Sequence, residues 1–242
     1  MVFCAAAVGL IVGLLVSVIQ HVAMTPLILQ AEEFEKSAAA HEAQAVHAPA
    51  SAPSDAHHHA LAPEAMPGAH VHNAQAWEPR EGFERTVFTV LSNVVTGIGG
   101  ALVLIGLFSL RGGPVDWRAG LFWGLAAFVA VLLAPSLGLP PTPPGVPEAD
   151  LGERQLWWAA TALATAAGLA LLAFGRSPWL AALALCCIVA PHVVGAPRLE
   201  VVETNVPLAL MQRFVAAATF TSLMFWALLG ALSGAFYPRF AR

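Results

Sequence analysis

The chain has 242 residues, of which 58% are hydrophobic and only 11% charged, and its mean hydropathy is +0.71. A soluble domain carries roughly 25% charged residues, so these figures exclude a water-soluble enzyme or nucleic-acid-binding module. They define an integral membrane protein whose immediate surroundings are lipid. The formal net charge of −4 is unevenly spread, and no nucleic-acid partner is expected. Cys4 and the adjacent Cys186 and Cys187 all lie in apolar runs. They are too few for a disulfide framework and read as buried small hydrophobes.

Val2 to Leu29 contains no Asp, Glu, Lys or Arg. It exceeds the roughly 20 residues a span needs and lacks the positive n-region of a secretory leader. A retained first transmembrane helix is expected, completing a first unit at residues 1–36 with Glu32, Glu33 and Glu35 at its exit. Gly9 and Gly13 give it a small face suited to close helix contact. Gln20, His21, Met24 and Thr25 make its later part polar.

Residues 37–80 change character. Ala, Pro, His and Glu dominate, with His41, His47, His57, His58, His59, His70 and His72 among them. No apolar period recurs, and so little apolar surface cannot hold a core. A long disordered loop of low complexity is expected. Neutral imidazole is the commonest metal ligand, so mobile histidines here would collect divalent ions; a plain solvated linker is the blander reading.

Residues 81–242 read as five further spans of the same membrane domain. Phe83 to Leu110 carries Asn93 and several glycines; an asparagine at that depth is more often a partner for a neighbouring helix than a ligand. Trp117 to Ala134 has Gly120 and Gly124 four apart. Pro135 to Asp150 is a proline-rich connector. Arg154-Gln155-Leu156-Trp157-Trp158 opens a fourth span ending at Phe174, its tryptophans suiting an interfacial belt. A fifth runs from Trp179 to His192, an acidic connector with Glu200 and Glu203 follows, and Pro207 to Phe236 is the sixth, with Gly230-x-x-x-Gly234 near its end. The fold class expected is therefore all-α, a polytopic bundle of about six transmembrane helices with one long His-rich external loop.

Pro191-His192-Val193-Val194-Gly195-Ala196-Pro197 closes the fifth span. Proline lacks an N–H and clashes with the preceding turn, so the helix is expected to break here. Broken backbone at membrane depth faces protein or a wet cavity, and an ionisable residue there marks a pathway. An imidazole anchored at the headgroup boundary is the alternative.

With six spans, both termini share a side with Arg111, Arg118, Arg176, Arg239 and Arg242, against the single acid Asp116. Lys and Arg in short loops mark the cytoplasmic face, so the termini are expected inside and the His-rich loop outside. His21, His192, Met24, Asn93, Glu32, Glu200 and Glu203 then gather at the outer end as candidate metal ligands. Such donors suit Co²⁺, Ni²⁺ or Zn²⁺.

Gln20-His21 with Pro26-Leu27-Ile28 and Ala31-Glu32, Ala134 through Pro141, Arg154 through Trp158, Pro191 through Pro197 and Phe225-Trp226-x-x-x-Gly230 follow one another in the order of a known family. Together they resemble the CbtA family, the probable cobalt transporter subunit of bacteria. The resemblance implies a multi-pass inner-membrane protein taking up Co²⁺; the donor set leaves Ni²⁺ or another divalent ion as a related cargo, and no tightly bound cofactor is expected. It also implies a small single-span, His-rich partner subunit of the CbtB kind. His21 and His192 are the positions carried over.

The expected function is thus a divalent-cation permease with His21 and His192 as pathway ligands. A membrane haem or redox protein using those histidines axially and a non-conducting metal-receptor subunit are the alternatives. The sequence contains neither H-E-x-x-H nor G-x-x-x-x-G-K-[ST], so no enzyme is expected.

Overall fold

A computed structural model describes residues 1–47, 79–80, 82–199 and 202–240. Its regular structure is helical throughout: α1 (Val2–Ala23), α2 (Thr25–His47), α3 (Phe83–Arg111), α4 (Trp117–Ser136), α5 (Leu151–Phe174), α6 (Pro178–Val194) and α7 (Leu208–Phe240). Five of these, α1, α3, α4, α5 and α7, are long and apolar enough to cross a membrane. α6 has 17 residues, about 26 Å at 1.5 Å per residue, which is the lower limit for a span. The all-helical, multi-pass fold is as expected.

Local chemistry sets the helix starts. Asp116 accepts a hydrogen bond from the Ala119 N–H (2.8 Å), and Asp150 accepts from those of Gly152 (2.9 Å) and Glu153 (3.1 Å). Each satisfies amides that the first turn leaves open. The Asp150 cap moves the start of α5 back to Leu151, three residues before Arg154. Pro178 opens α6, where a missing N–H is harmless.

The first span ends earlier than its apolar run. Pro26 has no N–H for the preceding turn, so the helix stops at Ala23 and restarts at Thr25, with the Met24 carbonyl accepting from Leu27 and Ile28. α2 then continues to His47, so residues 37–47 are helical where coil was expected. Five alanines with Glu42 and Gln44 in that stretch carry helix propensity without an apolar face. The rest of the expected loop, with His57, His58, His59, His70 and His72, lies outside the described residues, as does Glu200.

Close packing forms the centre. Gly120 and Gly124 of α4 lie against Gly230 and Gly234 of α7, so near that a Cβ on Gly124 would stand 3.0 Å from the Gly230 Cα and against the Trp226 carbonyl. α1 crosses α3 through Gly9 and Gly13 in the same way; a Cβ on Gly13 would be 2.6 Å from the Val94 Cα. These are the small-residue faces read from the sequence. Around them Cys4, Val8, Val12 and Val16 pack with Leu104, Ile105, Phe108 and Leu229. Phe108 meets Trp123 and Tyr237 edge-on, at 5.9 and 5.7 Å.

α5 and α6 form a hairpin that joins this bundle mainly along the C-terminal part of α4. Ser109 contacts both Met1 Sδ (3.6 Å) and the Tyr237 hydroxyl (3.3 Å), so both ends of the chain meet at one end of the bundle. The candidate site is at the opposite, far end.

Among the described residues, prolines sit inside three helices rather than ending them, Pro135 in α4, Pro191 in α6 and Pro238 in α7. Pro135 lies in the last turn of α4, just after a π-helical segment at Val129–Leu133. Pro191 lies within α6, which ends instead at Gly195 (φ 86°). The expected break at Pro191 is thus displaced by four residues. Membrane helices accommodate proline where neighbouring groups re-satisfy the freed backbone, and the positive φ of Gly195 is what stops the helix.

Candidate functional site

Two open pockets adjoin at the far end. One, of ≈ 490 Å³, is lined by Leu137, Gly138, Trp157, His192, Gly195, Ala196 and Arg198. The other, of ≈ 480 Å³, is bounded by the end of α4, the start of α5 and α7, with Ser136, Thr142, Glu148, Arg154, Gln155, Trp158 and Phe214 among its walls. Three stretches distant in sequence, 134–141, 154–158 and 191–197, are brought together here.

The adjacent tryptophans of α5 join them. Trp157 Nε1 donates to the Pro191 carbonyl (3.2 Å), and Trp158 Nε1 donates to the Val131 carbonyl (3.0 Å). Pro135 cannot provide the N–H that a regular helix would offer to Val131, so Trp158 replaces it from a neighbouring helix. Trp157, expected at an interfacial belt, is 9% exposed. It clamps α6 to α5 and meets the His192 ring edge-on at 5.9 Å.

His192 is half-buried and forms part of the pocket wall. Arg198 stands in the same pocket and donates from Nη2 to the Gly138 carbonyl (3.4 Å). In the second pocket Glu148 pairs with Arg154 and accepts from the Thr142 hydroxyl. That carboxylate is therefore balanced by a cation within the pocket.

The other expected ligands are dispersed. His21 is exposed on α1, as are its face neighbours Val18 and Val22. α1 packs against α3 and α7, while α6 packs on α5, so His21 and His192 do not share a helix interface. Asn93 Nδ2 donates to Gln20 Oε1 (2.7 Å) and Ser17 Oγ (2.9 Å), joining α3 to α1. Glu32 is engaged by Arg85 at 2.6 Å. Met24 is the joint between α1 and α2. Glu203 is exposed in the connector before α7. His41 and His47 lie on the last turns of α2. Among the described residues, no group of three or more His, Cys, Asp and Glu is arranged to hold a metal.

Cys4 is buried as expected, but Cys186 is exposed on the outer face of α6 and Cys187 only half-buried. The two were expected to be buried small hydrophobes of the fifth span, whereas one side of α6 faces the surroundings. Trp157, Arg198, Glu148 and Arg154 were not among the site residues expected from the sequence. Glu148 and Arg154, six apart across the Asp150 cap, were the one visible signal, an acid–base pair flanking a helix start.

An all-helical chain with five helices long and apolar enough to cross a membrane, and with open pockets at one end, is a multi-pass membrane protein. The chain belongs to the CbtA family, probable cobalt transporter subunit, whose family model matches residues 1–238. No curated protein and no solved structure matches it. Membership makes this chain a subunit of a cobalt transport system.

Proposed function

We propose that this chain is the membrane-spanning subunit through which Co²⁺ enters, with His192 as its first ligand at the far-end pocket. The observation that supports this most directly is the position of that ring. It stands in an open pocket built from three separated parts of a cobalt-transporter sequence. Neutral imidazole binds borderline divalent ions. The Arg198 guanidinium in the same pocket weakens that binding by charge repulsion. Weak binding suits a conducting site, which must release what it captures.

His21 acts separately in this reading. Exposed on α1, it is placed to meet a second protein, and we assign its face to the small His-rich partner subunit. Glu203, exposed in the connector before α7, draws cations towards His192. Met24, Asn93 and Glu32 shape the entry by holding α1, α2 and α3 together. The termini are cytoplasmic and the pocket end external, with the histidines between His41 and His72 collecting metal. Ni²⁺ is the related ion expected to compete. A haem held between His21 and His192 would need those rings on facing helices, which α1 and α6 are not. A receptor that does not conduct would bind metal without accumulating it.

Radiolabelled cobalt uptake tests the reading in cells making the chain alone and with its small partner. Accumulation that depends on the chain supports it. Surface binding without accumulation, in both settings, rejects it.

A further inference from the structure

Beneath the pockets, α5 keeps hydroxyls where a membrane core favours apolar groups. Thr161 and Thr165 are 0% and 1% exposed, and neither hydroxyl has a hydrogen-bond partner among the described residues. A buried hydroxyl in a helix commonly closes on the carbonyl one turn back. Ser17 does so on Gly13 and Ser136 on Leu132. The two threonines of α5 do not, although an unpaired hydroxyl in an apolar interior is costly.

Their direction follows from the tryptophans above them. An α-helix turns by about 100° per residue, so Trp157 and Trp158 bound a sector of that width. One indole is tied to α6 through Pro191 and the other to α4 through Val131. Thr161 and Thr165 fall inside the sector, at about 40° and 80° from Trp157. They face the seam between α6 and the π-helical part of α4. Farther down, Gly168 closes the α6 side, where an added Cβ would come 2.8 Å from the Ala184 carbonyl. At about 1.5 Å per residue from Leu156, where the apolar part of α5 begins, the two residues lie roughly 7.5 and 13.5 Å along the helix. The second therefore comes near the middle of a hydrocarbon core about 30 Å thick.

We propose that this seam is a cation site below His192, in which the hydroxyls of Thr161 and Thr165 replace part of the water shell of a divalent ion. The proposal rests on the transport reading above and adds a mid-membrane site to it. A hydroxyl offers lone pairs to a metal and a proton to a water that stays on it. Because both donors are neutral, the ion is held less tightly than by carboxylates, as passage requires.

The test uses the full chain in cells together with its small partner subunit. Thr165→Val removes the hydroxyl and keeps the shape. Loss of one contact to a charged group should lower the initial rate of radiolabelled Co²⁺ uptake about tenfold at equal membrane abundance. Thr165→Ser should restore most of that rate, and Thr161→Val should resemble Thr165→Val. The melting temperature of Thr165→Val in detergent should be unchanged or higher, since no hydrogen bond is lost. Wild-type uptake by both valine variants would overturn the proposal.

A second readout is independent of uptake. On a chain whose three native cysteines are alanine, Thr165→Cys should react with a small cationic thiosulfonate, and added Co²⁺ should slow the reaction. A thiol that does not react, or one that reacts equally fast with Co²⁺ present, would also overturn it. If the wild-type chain accumulates no cobalt with its partner, the transport reading fails. In that case the thiol reaction alone decides whether the seam holds the ion.

Discussion

Trp157 holds His192 edge-on while leaving it in the pocket wall, and this gives the imidazole a fixed direction. An apolar side chain at 192 keeps the packing and removes the ligand. His192→Leu is expected to insert normally and lose most cobalt uptake, about tenfold or more if one charge-assisted contact is lost. His192→Trp separates ligand from anchor, because a tryptophan serves equally well at a membrane interface. Uptake by that variant near the wild-type rate would show that the ring only anchors α6. Asn93 is the opposite case. Both of its amide bonds go to α1, and interhelical bonds of this kind contribute about 0.6–1.7 kcal/mol each. Asn93→Leu should therefore lower stability by about 1–3 kcal/mol and leave uptake per folded molecule near wild type. A melting curve with uptake normalised to folded protein checks both halves.

At the scale of elements, the spacing of small residues marked faces suited to close contact, and the structure shows which helices they join. Gly120 and Gly124 meet Gly230 and Gly234 because only a bare backbone fits there. Gly124→Leu should cost about 1–3 kcal/mol through overpacking, seen as a lower melting temperature in detergent; an unchanged one would mean that α4 and α7 cross elsewhere. Span positions were legible for the same reason: membrane length and apolar composition leave few choices. The fate of Pro135 was not, since it depends on a donor from another helix. Trp158 reaches the Val131 carbonyl from α5, and no local pattern in α4 announces that. The helical extension to His47 was missed because an alanine-rich stretch has propensity but no apolar period.

For the whole molecule, the candidate site was legible as an end of the bundle more than as a set of ligands. Charge pattern and span number placed His21, Asn93 and His192 at one level, but rotation about each helix decides who faces whom. That rotation turned His21 outward and Asn93 towards α1. The loop histidines are expected to be accessory, collecting metal rather than conducting it. Deleting residues 41–74 should lower uptake at scarce cobalt and spare the maximal rate; loss at saturating metal, with normal insertion, would make them part of the pathway. Orientation decides which side that loop serves. Arg111 ends α3, Arg118 lies in the first turn of α4, Arg176 is in the α5–α6 turn and Arg239 is in the last turn of α7. All four flank short turns or the C-terminus at the end of the bundle shared by both termini. Such residues are retained on the cytoplasmic side. On a cysteine-free background, an impermeant thiol reagent applied to intact cells should label Ser51→Cys and leave Ser177→Cys untouched until the membrane is opened. The reverse pattern would invert the molecule and turn the pocket that contains His192 from an entrance into an exit.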